Sequence, residues 1–290
     1  MSETVGFIGL GLMGEGFTRR LLATGHRVVG YDIEPARVAA ATGWGVEAAA
    51  SPAEVARTAE IVLVCVVNTT AVEAVAADIA GAGRLDGKVL VDHSTTEIAA
   101  TRRIATMLHE RAGMGFVDAP VSGGPEAALK GTLAIMAGGS DAAIAKIRPV
   151  VERLGNLTHM GGVGTGQATK LVNQTIVLTN YCVLAEALRL AQAHGVDAAR
   201  IPEALKAGHA GSNLLPVAFQ RMIAEDFAPR GYTRQVLKDL EMLQADAREH
   251  HLAMPMASQA LTLFRLLYAS GKSELDGMAV VTLYPRPQPH

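Results

Sequence analysis

The sequence lacks the features that would direct it to a large charged partner or to a disulfide framework. Its 26 basic and 28 acidic side chains leave a formal charge of −2 over 290 residues, and the two signs are interspersed. No basic field is available for a nucleic acid or an anionic membrane, so we expect a small-molecule partner. The two cysteines, Cys65 and Cys182, lie in apolar runs without metal-ligand spacing, which predicts buried thiols in a reducing compartment.

The chain also lacks a long apolar run at its N-terminus, because glycines interrupt the first hydrophobic stretch. We therefore expect neither a signal peptide nor a membrane span, and we expect a cytoplasmic location. Internal repeats, low-complexity segments and flexible linkers are absent from the sequence. With 49% apolar residues, 290 residues suffice for two domains with well-filled cores.

A strand, a glycine-rich loop, a helix and a second strand follow one another in the first 32 residues. The strands are predicted at residues 5–10 and 26–31, and the loop carries Gly9, Gly11 and Gly14 in the GxGxxG spacing. Glycines there allow a tight turn and let backbone N–H groups approach a pyrophosphate at the positive end of a helix. The complete unit predicts a dinucleotide-binding site rather than a simple turn.

Asp32 ends the second strand and is predicted to accept hydrogen bonds from the ribose hydroxyls of the adenosine. Ile33 and Glu34 follow it, where a 2′-phosphate would favour an arginine. The first arginine after these residues is Arg37. We therefore expect NAD as the cofactor and keep NADP as the alternative.

Polar side chains follow three further predicted strands, at residues 61–67, 89–92 and 116–118. The carboxyl ends of strands in an open α/β sheet line the ligand crevice, so these polar positions are expected to contact a cofactor or substrate. Ser94 is equally a candidate N-cap of the next helix, and the lone histidine His93 is interpreted as structural.

The last of these strands leads into the sequence APVSGG. Here Ser122, Gly123 and Gly124 bring a hydroxyl and unobstructed backbone N–H groups into one bend. Such a bend suits a carboxylate or a phosphate. The same residues would also form an ordinary tight turn, and the pattern alone leaves both interpretations open.

The longest uninterrupted helical pattern carries a lysine inside an apolar run. No glycine or proline occurs between Gln167 and Ala193, and Gly195 follows as a stop. Apolar side chains point around most of the circumference, so we expect this helix to be buried on nearly every side. Asn173 would share a face with Lys170, three residues earlier. The lysine is either a catalytic ammonium or a side chain whose head reaches solvent.

Beyond residue 160 the chain carries only helical patterns, at residues 198–207, 214–224, 234–249 and 256–269. The predicted fold is therefore α/β, with a Rossmann-type doubly wound parallel sheet followed by an all-α C-terminal domain, joined by the long interdomain helix. The predicted domains are residues 1–163, which bind NAD, and residues 164–290, which begin with that helix.

Five motifs, in this order, resemble those of the 3-hydroxyacid dehydrogenase family: GFIGLGLMGEG, DHSTTEI, DAPVSGGPEAALKGTLAIMAGG, GTGQATKLVNQ and VLKDLEML. The resemblance extends over nearly the whole chain. It implies an NAD(P)-dependent enzyme that interconverts a small 3-hydroxy acid and its semialdehyde. It also implies a small carboxylate substrate and a homodimer or homotetramer.

The resemblance assigns roles to individual residues. Lys170 would be the catalytic acid/base, with Asn173 as its amide neighbour. Ser122, Gly123 and Gly124 would bind the substrate together with Gln174. The residues that would bind the cofactor are Gly9, Leu10, Gly11, Leu12, Met13, Gly14, Asp32, Val66, Val67, Thr95 and Lys238.

The chemistry of alcohol oxidation gives the lysine a role independently of the family. Removing a hydride from the carbon leaves a hydroxyl proton to be taken up, and the reverse reaction must supply it. A lysine can do both, and its charged form also stabilises an oxyanion.

Substrate identity and alternative functions depend on weaker signals. The segment AGHAGSNLL is more similar to tartronate semialdehyde reductases than to 3-hydroxyisobutyrate dehydrogenases. Its Ser212 and Asn213 are candidates for contact with the substrate, and Ser212 is also a candidate N-cap of the helix that follows. The 3-hydroxyisobutyrate dehydrogenases, and succinic or glyoxylate semialdehyde reductases, are the alternatives. An imine reductase on the same scaffold is disfavoured by Lys170. A catalytically silent dinucleotide-binding regulator is the non-enzyme alternative.

Overall fold

The computed structural model describes residues 4–287, which form two compact units divided after Lys170. This division lies inside a helix that begins at Thr165. The predicted domain boundary between residues 163 and 164 lies just before that helix and stays a prediction.

The first unit contains a nine-stranded sheet. Its strands are β1 Thr4–Ile8, β2 Arg27–Tyr31, β3 Glu47–Ala48, β4 Ile61–Val64, β5 Val89–Asp92, β6 Gly115–Asp118, β7 Val121–Ser122, β8 Leu133–Gly138 and β9 Gly155–Gly161. The strand order is β3-β2-β1-β4-β5-β6-β8-β7, and β9 pairs with β8. Strands β1 to β6 are mutually parallel, whereas β8 runs antiparallel to β6 and β7. The predicted α/β fold with a doubly wound parallel sheet is confirmed for β1 to β6, and the antiparallel direction of β8 was not predicted.

The central strands are apolar throughout because both faces of the sheet are covered. In β4, Ile61 and Leu63 belong to one hydrophobic core, and Val62 and Val64 belong to the core on the opposite face. All four side chains are buried. The alternation follows from the two-residue period of a strand, and it explains a β-branched run without polar positions.

Helices cover both faces of this sheet. They are α1 Leu12–Ala23, α2 Pro35–Thr42, α3 Pro52–Thr58, α4 Thr69–Ala80, α5 Ile98–Ala112, α6 Gly124–Lys130 and α7 Asp141–Val151. Three short or late strands were not predicted from the sequence, namely β3, β7 and β9. Two of them are only two residues long, too short for an alternation to be visible.

The second unit is helical within residues 171–287. Helix α8 Thr165–Ala193 leads into it, followed by α9 Ile201–Leu205, α10 Leu214–Ala224, α11 Thr233–Glu249, α12 Pro255–Ala269 and 3₁₀ turns at Ala198–Arg200 and Gly277–Leu283. The hydroxyl of Ser212 accepts a hydrogen bond from the amide of Leu215 at 3.1 Å, so it pairs a first-turn N–H of α10, although the N-cap residue itself is Asn213. The predicted helical C-terminal region is thus confirmed.

One prediction about α8 is wrong, because the helix is not buried on nearly every side. Its side chains Val172, Ile176 and Leu190 are 60%, 59% and 63% exposed, whereas Leu178 and Leu188 are buried. Among the described residues α8 is the one helix long and apolar enough to cross a membrane, and core helices of water-soluble proteins meet the same two criteria. A cytoplasmic location stays a prediction.

Candidate active site

Four neighbouring strands of the first unit end level with one another. Ile8 of β1 pairs with Val64 of β4, which pairs with Asp92 of β5, which pairs with Asp118 of β6. The direction of strand order reverses between β1 and β4, and ligands of open α/β sheets bind outside the carboxyl ends at such a point. The fold therefore places the predicted cofactor residues of the first unit and the start of the APVSGG segment along one edge, whereas Lys238 lies in the second unit.

The glycine loop at this edge is shaped by close backbone approaches. Gly9 has a φ of +97°, and a Cβ there would lie 2.2 Å from the carbonyl oxygen of Cys65. A Cβ on Gly14 would lie 2.0 Å from the oxygen of Gly9, so neither position tolerates a side chain. Gly11, the N-cap of α1, offers no side-chain cap to the helix, which leaves first-turn N–H groups for an anion. These features fit the pyrophosphate of NAD(P).

Asp32 is buried beneath this loop rather than projecting freely from the strand end. Its Oδ2 accepts a hydrogen bond from the amide of Leu10 at 2.7 Å, and its Oδ1 accepts one from the amide of Glu34 at 2.9 Å. Arg37 approaches to 3.6 Å. Each carboxylate oxygen can accept a second hydrogen bond. Asp32 thus fixes the glycine loop while keeping acceptor capacity for ribose hydroxyls, whose binding stays a prediction.

Ser94 does not cap the helix that follows it, contrary to one expectation. The N-cap of α5 is Glu97, and the Ser94 hydroxyl instead accepts a hydrogen bond from the amide of Val66 at 2.9 Å. This bond ties the end of β4 to the end of β5. Val67 is half-exposed at this edge, and its predicted contact with the cofactor, like those of Val66 and Thr95, stays a prediction.

His93 is held as a neutral structural residue. It is buried, and its ring stacks on Phe17 with 5.0 Å between centroids. Its Nδ1 lies 2.6 Å from the carbonyl oxygen of Ala119, which can only accept, so Nδ1 carries the hydrogen. Burial lowers the pKa of His93 to about 4.

The start of α8 is capped by a buried carboxylate that was not predicted from the sequence. Asp118 Oδ1 accepts a hydrogen bond from the amide of Gly164, and Oδ2 accepts one from the amide of Gln167, both at 2.8 Å. Burial raises the pKa of Asp118 to about 6, although these N–H donors oppose the shift. The signal available in the sequence was an aspartate that ends a buried strand, the first residue of DAPVSGG.

The side chain of Gln167 also belongs to this cap. Its Oε1 accepts a hydrogen bond from the amide of Thr96 at 3.1 Å, and its Nε2 donates to the carbonyl of Ser94 at 2.9 Å. Asp92 accepts from the amide of Ser94 and from the Thr96 hydroxyl. One buried polar network therefore connects the end of β5 to the first turn of α8.

Lys170 lies one turn further along α8 and meets the APVSGG segment. Its side chain is 8% exposed, and Nζ donates a hydrogen bond to the carbonyl oxygen of Val121 at 2.8 Å. Val121 directly precedes the bend formed by Ser122, Gly123 and Gly124. A Cβ on Gly124 would meet no atom within 4 Å, so this side of the bend is open. The structure thus brings the amine next to the predicted carboxylate-binding bend.

The remaining predicted residues form a separate group in the second unit. Asn173 Nδ2 donates to Gln174 Oε1 at 2.8 Å, and Gln174 Nε2 donates to Asp239 Oδ2 at 2.5 Å. Lys238 Nζ lies 3.1 Å from Asp239 Oδ1. Asp239 is a further residue whose role was not predicted from the sequence. Among the described residues no cluster of three or more histidine, cysteine or acidic side chains is arranged to hold a metal.

Comparison with known families matches both halves of the chain. Residues 4–174 match the NAD-binding domain of 6-phosphogluconate dehydrogenase, and residues 164–284 match the NAD-binding region of NADP-dependent 3-hydroxyisobutyrate dehydrogenase. The chain belongs to the 3-hydroxyacid dehydrogenase family. It is therefore an NAD(P)-dependent oxidoreductase that acts on CH–OH groups, as the resemblance implied.

Individual relatives are similar in sequence or structure over nearly the whole chain. The 2-hydroxy-3-oxopropionate reductase of Escherichia coli is 36% identical over 96% of this chain and 95% of its own. A 3-hydroxyisobutyrate dehydrogenase from Mycobacterium tuberculosis, solved with L-serine, is 28% identical with a TM-score of 0.85 and covers 98% of this chain and 100% of its own. The Salmonella typhimurium 3-hydroxyisobutyrate dehydrogenase structure is 29% identical with a TM-score of 0.88, at the same coverage.

Proposed function

We propose that this 3-hydroxyacid dehydrogenase family member is a tartronate semialdehyde reductase, with Lys170 as its general acid/base. The hydrogen bond from Lys170 to Val121 carries the proposal, because it holds the amine beside the bend expected to bind the substrate carboxylate. The name of the Escherichia coli relative, 2-hydroxy-3-oxopropionate reductase, supports the same substrate. In a 3-hydroxy acid, the carbon that bears the hydroxyl is two carbons from the carboxylate carbon. Such a molecule could place its hydroxyl at the Lys170 amine and its carboxylate at the bend formed by residues 122–124.

The chain's own residues account for proton transfer and orientation. Ser122 and the backbone N–H groups of the bend bind the carboxylate, which fixes the reacting carbon. Lys170 in its charged form donates a proton to the oxygen of the aldehyde as it becomes an alcohol, and in the reverse direction the neutral amine removes it. Burial of the amine excludes water that would otherwise compete for this proton.

The glycine loop, the start of α1 and Asp32 would hold NAD(P), which supplies or accepts the hydride when bound. We propose a preference for NAD over NADP. Asp32 carries negative charge at the strand end, and Ile33, which is 87% exposed, offers no charge to a 2′-phosphate. Arg37 lies 3.6 Å from Asp32, and the negative charge of Asp32 offsets the positive charge that Arg37 would present to a 2′-phosphate.

We further propose that the chain forms a homodimer through the exposed apolar side of α8. Val172, Ile176, Val183 and Leu190 recur at helical spacing and are 44–63% exposed. Large apolar side chains that recur on one side of a helix are costly to leave in water, and here they mark an interaction surface. A second copy of the same helix would bury it symmetrically.

The proposed reaction can be tested by following nicotinamide absorbance. Tartronate semialdehyde, methylmalonate semialdehyde and succinate semialdehyde should each be offered with NADH and with NADPH, and L-serine and 3-hydroxyisobutyrate with the oxidised cofactors. We expect the highest kcat/KM for tartronate semialdehyde with NADH. A preference of tenfold or more for another substrate would reassign the substrate and leave the family unchanged.

The role of Lys170 is tested by Lys170→Met, which keeps the apolar stem of the side chain but removes the amine. We expect kcat to fall by about 10²- to 10⁴-fold, the usual contribution of a general acid/base. Lys130→Met, at the exposed end of α6, serves as the matched control and should retain wild-type kcat. Equal activity of the two variants would rule out the assigned role.

A further inference from the structure

Three side chains of the second unit form a directional chain of hydrogen bonds that ends on a buried carboxylate. Asn173 donates to Gln174 at 2.8 Å, and Gln174 donates to Asp239 at 2.5 Å. Gln174 is 7% exposed and Asp239 is 8% exposed. The ammonium of Lys238, 3.1 Å from the other carboxylate oxygen, provides the charge partner that a buried aspartate requires.

The carboxylate determines which way both amides face. An ionised aspartate can only accept hydrogen bonds, so Gln174 must turn its NH₂ group towards Asp239. The Gln174 oxygen then faces Asn173, which must in turn present its own NH₂ group. Rotating the Gln174 amide by half a turn would place its oxygen against the Asp239 carboxylate, where two acceptors repel. The orientation of Asn173 therefore follows from the charge of Asp239, two hydrogen bonds away.

We propose that Asp239 is a positioning residue that keeps the amide oxygen of Asn173 available as an acceptor beside Lys170. The two residues are three apart on α8, the spacing at which helical side chains are neighbours. The inference rests on the proposed function of Lys170.

The consequence concerns the geometry of the amine. A neutral amine has two hydrogens and one lone pair. When Val121 and Asn173 accept the two hydrogens, the lone pair is left for the hydroxyl proton of the substrate. If Asn173 turned its NH₂ group to the amine instead, the lone pair would be occupied and proton transfer would be blocked.

Two substitutions separate polarity from packing. Asp239→Asn preserves the size of the side chain but can donate as well as accept, so the fixed direction is lost. Asp239→Glu keeps an acceptor-only carboxylate but adds a methylene to a buried site. We expect Asp239→Asn to lower kcat by roughly 10- to 100-fold, as a misplaced catalytic group does, and Asp239→Glu to retain more activity. A purely structural role predicts the opposite order.

Two controls test whether a loss of activity arises from the charge of α11 or from weaker cofactor binding. Glu241→Gln removes a half-exposed carboxylate from the same helix, where it pairs with Arg265, and should leave kcat unchanged. The affinity for NADH, measured by fluorescence, should change less than threefold in Asp239→Asn. A loss confined to NADH affinity would mean that Asp239 acts through Lys238, and the proposal would be wrong.

A measurement without turnover tests the hydrogen-bond chain itself. In the wild type the side-chain NH₂ groups of Gln174 and Asn173 should give distinct NMR signals with slow hydrogen exchange, and Asp239→Asn should accelerate that exchange at least tenfold. Unchanged exchange would overturn the inference even if Lys170 proves catalytic. If Lys170→Met stays active while exchange does accelerate, the proposed acid/base role fails and the hydrogen-bond chain stands.

Discussion

The substitution Gly166→Ala should displace the start of α8 from its close contact with the sheet. A Cβ at this position would lie 2.4 Å from the carbonyl oxygen of Met136 and 2.5 Å from that of Asp118. Both atoms are backbone atoms, so no side chain can rotate away, and the helix must shift. Overpacking of this kind costs about 1–3 kcal/mol.

The expected effects follow from that shift. A loss of about 1–3 kcal/mol corresponds to a melting temperature lowered by roughly 2–12 °C for a domain of this size. Lys170 follows Gly166 by one helical turn, so it moves with the helix, and a displacement near 1 Å can cost about 10²-fold in rate. Activity should therefore fall at temperatures well below unfolding.

Gly162→Ala is the matched control. A Cβ there would meet no atom within 4 Å, and the residue lies in the same segment just before the helix. Circular dichroism melts and steady-state kinetics of both variants would check the reasoning. If Gly166→Ala melts within about 1 °C of Gly162→Ala and matches its kcat, the close approach does not position the lysine.

Two predictions concern stability and assembly. Asp118 has a pKa of about 6 in the folded protein and near 4 in the unfolded chain. As the pH rises, the unfolded chain therefore loses this proton first. The free energy of unfolding should consequently fall by up to about 3 kcal/mol between pH 4 and pH 6. Urea unfolding at pH 4 and pH 6 should show this fall for the wild type and not for Asp118→Asn. If the free energy of unfolding changes equally with pH in the two proteins, the raised pKa of Asp118 is contradicted. Light scattering should give twice the 30.3 kDa chain mass for the wild type and a smaller mass for Ile176→Lys; a monomeric wild type would exclude the proposed dimer.

Much of the fold could be predicted from the sequence because it depends on the hydrophobic periodicity and the steric requirements of residues that are neighbours in the chain. The glycine loop, the buried strand at residues 61–64 and the 29-residue helix each carry a periodicity or a steric requirement that neighbouring residues satisfy among themselves. The strand ends then had to share an edge, because parallel strands joined by helices do so in any doubly wound sheet.

The sequence could not determine contacts between residues far apart in the chain. Asp118 caps a helix 46 residues later, and Asp239 fixes an amide 65 residues earlier. Asp118 was visible as the end of a predicted buried strand, yet the local pattern around neither aspartate indicates which distant group it contacts. The pattern around Ser94 fits a helix cap equally well, and only the packed strands bring its hydroxyl to the amide of Val66.

The sequence by itself determined the glycine loop, the parallel strands β1, β2, β4, β5 and β6, the helical C-terminal region, and the lysine on the long helix. Only the tertiary structure decided that the amine faces Val121, that a buried carboxylate caps the first turn of α8, and that one side of this helix stays exposed. The reason is physical. Local conformation follows from residue geometry, whereas burial and hydrogen-bond partners exist only once distant segments have packed together.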